Sequence, residues 1–177
     1  MSQQTETPQK ENVMRLIRLE KVVLSCGATG SDLEKAQKLL EFLTNKKAQI
    51  MKAGPKRRIP AFSVKPGMAL GVMVTLRDEQ ASEILAKLLG AIGNELDESQ
   101  IAENAFSFGI HEYIEIPGVE YQREIGIRGL NVTAVFTRAG MRVKKRKIKT
   151  GKVPRRQNIT PEEIITYMEE NFNTEIE

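Results

Sequence analysis

Residues 71–92 read GVMVTLRDEQASEILAKLLGAI, and the spacing of their apolar residues changes halfway along. Val72, Val74 and Leu76 alternate with Met73, Thr75 and Arg77, the period of a strand with one covered face. From Ala81 onward, Ile84, Leu85, Leu88, Leu89 and Ile92 recur at i, i+3 and i+4, so an amphipathic helix follows. Asp78 stands at the change and is expected to cap that helix. A strand running straight into such a helix implies a sheet whose Val72, Val74 and Leu76 face lies under helices. The face carrying Met73, Thr75 and Arg77 has no evident cover.

The same grammar extends in both directions. Upstream, residues 14–25 (MRLIRLEKVVLS) predict a strand ending at the turn CGATG, with Val22 and Leu24 inward and Lys21, Val23 and Ser25 outward. Ser31 and Glu34 match a capping box ahead of Leu33, Ala36, Leu39, Leu40 and Leu43, and Asn45 suits a left-handed helix stop. A short strand over 49–52 then pairs with the 71–78 strand as a hairpin with a long tip. Downstream, residues 93–105 read as a polar loop or frayed short helix. Residues 106–116 (FSFGIHEYIEI) and 130–138 (LNVTAVFTR) read as two more strands, the second placing Asn131, Thr133, Val135 and Thr137 outward. Thr160-Pro161-Glu162-Glu163 opens a last helix with an N-cap, an N1 proline and an N3 glutamate. Three helices and about five strands give an α+β fold: a mostly antiparallel sheet, helices on one face, the other open.

Composition narrows the chemistry. The 177 residues predict one domain over 13–177, behind an unstructured tail over 1–12. No run approaches a membrane span and no secretory signal is evident, so a cytoplasmic protein is expected. One cysteine and one histidine remove intramolecular disulfides, Cys-rich zinc sites and most acid/base constellations. The glycine turn CGATGSD lacks both common phosphate-binding patterns and reads as a strand-to-helix turn. Cys26 reads as a small half-buried residue, His111 as a sheet histidine, and Asp97, Glu98 and Glu103 as a solvated acidic loop. No catalytic residue, metal site or cofactor is expected.

Charge is the informative property. Residues 46–65 hold seven Lys/Arg and residues 138–157 hold ten, together 17 of the chain's 27, without one acid in either window. Residues 162–177 carry six acids and no base. Both basic windows are broken by Gly and Pro, so they lie in loops, where self-repulsion destabilises unless a polyanion neutralises it. Nucleic acid is the expected partner, recognised through phosphate, sugar and shape, because aromatic residues for base stacking are few. That pattern favours structured RNA.

Four ordered stretches carry a resemblance: IRLEKVVLSCGATGSDLEKAQKLLEFLT, GVMVTLRD, FSFGIHEYIEIPGVEYQREIGIRGLNVT and RAGMRVKKRKIKTGKVPRRQNITPEEIITYM. Over nine-tenths of its length the chain resembles the universal large-subunit ribosomal protein family that binds 5S rRNA, large-subunit protein five, in its archaeal form. The resemblance implies a non-enzymatic constituent of the central protuberance, with Lys21, Ser25, Thr75, Arg77 and Thr133 on the 5S rRNA face. It implies a tRNA-facing loop with Lys52, Lys56, Arg57, Arg58 and Phe62 reaching toward P-site tRNA. It also implies a bridge from another surface to a protein of the small-subunit head. The arm from 138 to 157, with Arg142, Lys144, Lys145, Arg146, Lys147, Lys149, Lys152, Arg155 and Arg156, is expected to lie along RNA, with 23S rRNA a further partner. Neither a membrane nor a second copy of the chain is expected as a partner. The alternative is a free-standing RNA chaperone or assembly factor with the same patches.

Overall fold

The computed structural model describes residues 12–176. Its elements in chain order are β1 (Ile17–Gly27), α1 (Ser31–Thr44), β2 (Gln49–Lys52), β3 (Ala69–Leu76), α2 (Glu79–Ala91), β4 (Glu95–Leu96), β5 (Ile101–Ala102), β6 (Ala105–Ile110), β7 (Leu130–Arg138), α3 (Arg142–Lys145), α4 (Pro161–Phe172) and β8 (Glu175–Ile176). Six strands form an antiparallel sheet in the order β2-β3-β1-β7-β6-β5, while β4 and β8 make a separate parallel pair. The architecture is α+β, as the sequence predicts, with the long central strand β1 hydrogen-bonded to β3 on one side and β7 on the other.

Alternation decides where the core lies. Val22 and Leu24 of β1, Val72, Val74 and Leu76 of β3, Phe106 and Phe108 of β6, and Val132, Ala134 and Phe136 of β7 are all buried. They pack with Ala36, Leu39 and Leu40 of α1, Ala81, Leu85, Leu88 and Leu89 of α2, and Ile164 and Met168 of α4 in one cluster. The rings of Phe106 and Phe136 stack at 5.8 Å between centroids, and Tyr167 of α4 meets Phe136 edge-on at 5.4 Å. These contacts hold α4 on the same face of the sheet as the rest of the apolar cluster.

Several local expectations meet their geometry. Asn45 closes α1 at φ 51°, with its N–H donating to Glu41. Thr160 and Glu163 form both halves of a capping box on α4, behind Pro161. Others are corrected. The Ser31–Glu34 box does not form, because the chain turns one residue earlier: Gly30 is the N-cap at φ 63°, and Ser31 is already helical. Asp78 occupies the N-cap of α2 without a capping hydrogen bond from its side chain, at φ 59° and ψ −146°. The strand expected over 106–116 stops at Ile110; His111 is an exposed residue beyond its end, and Tyr113–Glu115 form a 3-10 turn. Tyr113 is fully buried there, and its hydroxyl accepts a 2.8 Å bond from the N–H of Gln122. The polar 93–105 segment contains β4, a 3-10 turn and β5. The expected N-terminal tail falls on residues 1–11, outside the described residues, except for Asn12, whose carbonyl accepts from the N–H of Arg15.

Candidate nucleic-acid interface

The open face of the sheet is built by the residues that alternate with the core. Its cross-strand rows follow from the register: Gln49, Met73, Ser25, Asn131 and Gly109 form one; Thr75, Val23, Thr133 and Ser107 the next; Lys21, Val135 and Ala105 a third. Lys21, Ser25, Thr75 and Thr133 therefore share one surface, and Arg77 lies exposed one residue beyond β3. Gln49, Ser107 and Gly109 also belong to this surface, and the sequence reading does not single them out. The alternation in AFSFGI, with Phe106, Phe108 and Ile110 inward, carries the signal for Ser107 and Gly109. The Ser107 and Thr133 hydroxyls lie 3.0 Å apart and bond each other. The surface mixes hydroxyl and amide side chains with the apolar Met73, Val23, Val135 and Ala105, carries the cations Lys21 and Arg77, and contains no aromatic ring. It suits contact with a sugar-phosphate backbone better than base stacking.

The first basic segment is an ordered structure. Ala53 and Met68 pair at its neck (2.7 Å), and Ile59 and Val64 bond each other through both N–H groups at 3.1 Å. Ala53 and Val64 are buried, which gives the loop a small floor of its own. Pro60–Phe62 form a 3-10 turn at the tip, closed by Ser63 at φ 54°, and Phe62 is 78% exposed. Lys52, Lys56, Arg57 and Arg58 are exposed around it.

The second segment is held by the framework instead. Arg138 is buried, bonded to Glu163 of α4 at 2.5 Å and to the carbonyl of Arg156 at 3.4 Å. Lys145 pairs with Glu20 of β1, and the Gln157 amide donates to the carbonyls of Ala139 and Met14. Within the arm, Arg146 donates to the Lys149 carbonyl, and the Gly151 N–H donates to Val143. Arg138 thus serves the fold, whereas Arg142, Lys144, Lys147, Lys149, Lys152, Arg155 and Arg156 are exposed without an acidic partner among the described residues.

A third surface is the connection from β6 to β7, residues 111–129. It is fastened to α1 by Arg128–Asp32 and Lys38–Glu124, each at 2.7 Å. The bond from Lys38, and then its charge, hold the Glu124 carboxyl below the usual carboxylate range. Ile114, Tyr121 and Ile127 are exposed on this segment among Glu112, Glu115 and Glu120.

Cys26 is buried, with its thiol directed at the Gly129 carbonyl at 3.3 Å, and burial pushes its pKa up, away from the reactive thiolate. Among the described residues no three His, Cys, Asp or Glu side chains converge as a metal cage, and no helix is long and apolar enough to cross a membrane.

Comparison with known proteins bears on the same surfaces. The family model for the C-terminus of the ribosomal protein L5 family matches residues 69–158, from β3 through the basic arm. The chain is 42% identical over 169 residues to large ribosomal subunit protein uL5 of Nanoarchaeum equitans, covering 94% of this chain and 99% of that one. It is 42% identical over 170 residues to uL5 of Sulfolobus acidocaldarius, covering 94% of both chains. It is 37% identical over 169 residues to uL5 of Methanosphaera stadtmanae, covering 94% of this chain and 99% of the other. The similarity spans the open face, both basic segments and the helical layer together, and the chain belongs to the archaeal uL5 family of structural, non-catalytic proteins of the large ribosomal subunit.

Proposed function

We propose that the open face of the sheet binds 5S rRNA in the central protuberance, with Lys21, Ser25, Thr75, Arg77 and Thr133 in contact. The observation that carries this reading is an uncovered sheet face on which Ser25, Thr75, Thr133 and Ser107 stand with Lys21 and Arg77, in a chain of this family. The loop over 52–67 reaches toward P-site tRNA: its internal ladder fixes the tip before contact, and Lys52, Lys56, Arg57 and Arg58 supply charge for phosphates. Preorganisation lowers the entropy lost on binding and leaves Phe62 as an apolar contact. The exposed cations of the arm lie along 23S rRNA. The 111–129 segment suits the bridge to the small-subunit head, since it exposes Ile114, Tyr121 and Ile127 on a stretch that also carries Glu112, Glu115 and Glu120 for a basic protein surface.

The test is binding to 5S rRNA and to a size-matched structured RNA across a salt series, followed by fluorescence anisotropy. A preference for 5S rRNA near physiological salt is expected. Replacing both Lys21 and Arg77 with Ala should weaken it and reduce the salt slope by about two. Equal, steeply salt-dependent affinity for both RNAs would favour the chaperone alternative and overturn the reading.

A further inference from the structure

Gly109 and Asn131 face each other across β6 and β7 on the open side of the sheet. Both are poor choices for their positions. β7 is an interior strand, and β6 is paired on its outer side only at Ala105 and Phe106, so Gly109 sits beside β7 at an open stretch of β6. Glycine there still forfeits side-chain packing, and asparagine in β7 is depleted relative to Thr or Val. Their neighbours show the usual pattern, since Ser107 and Thr133 stand opposite one another one pair along and bond to each other. Asn131 differs: it is exposed, and no side-chain hydrogen bond within the described residues involves its carboxamide. On its other side lies Ser25, also short. A Cβ built on Gly109 would meet only the Asn131 Oδ1, at 3.4 Å, so a β-branched side chain there would crowd the carboxamide. Gly109 has no positive φ, so the backbone does not require glycine. The missing side chain leaves the Asn131 carboxamide uncovered on its Gly109 side.

We propose that Asn131 is a specificity-determining RNA contact, exposed by Gly109, that reads the minor groove of an A-form helix. This rests on the assignment of the open face to RNA. The minor groove of A-form RNA is wide and shallow and displays 2′-hydroxyls and base edges, whereas its major groove is too deep and narrow for a sheet to enter. A carboxamide offers one acceptor and two donors, which matches a 2′-hydroxyl and a neighbouring purine N3 or guanine N2 amino group. Such contacts neutralise no phosphate, so they add discrimination between RNA and DNA without adding to the salt slope.

Two variants test this by independent routes, with 5S rRNA as the probe and its duplex arm carrying 2′-deoxy substitutions as the second arm. Asn131→Ala removes the reader, and Gly109→Val covers it with a residue that strands favour. Each is expected to lower affinity about tenfold with an unchanged salt slope. Tm should hold for the first and hold or rise for the second. The 2′-deoxy RNA should bind the native protein more weakly and the two variants with little further loss. Native-like affinity of both variants for 5S rRNA, while the Lys21→Ala/Arg77→Ala protein binds weakly, would overturn the role of Asn131 and leave the RNA face standing. Native-like affinity of all three would overturn the assignment of the face itself.

Discussion

The two faces of one sheet are made by the same strands yet answer to different demands. On the helical side, neighbours such as Phe106, Val132 and Leu24 are excluded from water, and each is chosen for volume. One residue away on the same strands, Ser107, Asn131 and Ser25 point the other way, where small size and free hydrogen-bonding groups matter more than packing. A period of two thus separates stability from recognition, so substitutions at adjacent positions should fall into different classes of effect.

The largest expected effect lies on the covered face. Phe106→Ala should cost about 3–5 kcal/mol in urea unfolding, because it opens a cavity between Phe108 and Phe136. A cost below about 1 kcal/mol would mean that the helical layer collapses onto the sheet without loss, and the division between faces would fail. Next come the junctions where strands hand over to helices. Gly30 and Asp78 have nearly the same backbone angles, but only glycine adopts that region without strain. Asp78→Gly should therefore raise stability, by about 1 kcal/mol, and a fall would show that the aspartate side chain compensates its own backbone cost. The smallest effect belongs to the open face. Ser107→Ala removes only the 3.0 Å bond to Thr133 on an exposed surface and should change unfolding free energy by less than about 0.5 kcal/mol.

Much of this division is legible in the sequence. Alternation in 71–76 and 130–138 assigns both faces correctly, because long strands buried on one side leave a clear period. The cap of α4 is legible because its partners, Thr160 and Glu163, are local. The failures have physical causes too. The apparent box at Ser31 is pre-empted by Gly30, whose positive φ starts the helix one residue sooner. A strand from 106 reads on past His111 because Tyr113, Ile114 and Ile116 are strand-favouring residues, although the alternation of Phe106, Phe108 and Ile110 breaks at Glu112; Tyr113 is instead turned inside as a post for the following segment. The β4–β8 pair is invisible in the sequence, since two-residue strands so far apart along the chain leave no local pattern. Within the candidate interface, alternation alone marks Asn131 as outward-facing, but its pairing with Gly109 depends on register between separate strands.

Register across distance also sets an order in time. β1 takes one partner, β3, from within the first half of the chain, but its other partner, β7, starts at Leu130. At about 5–20 residues per second, the stretch from the end of α2 to the end of β7 takes on the order of several seconds to synthesise. Throughout that interval the central strand of the finished sheet is an unpaired edge rich in Val and Leu, the kind of surface to which another chain can add. For a nascent chain of this protein, the hazard of aggregation is concentrated in a window that closes only when Arg138, the last residue of β7, has emerged.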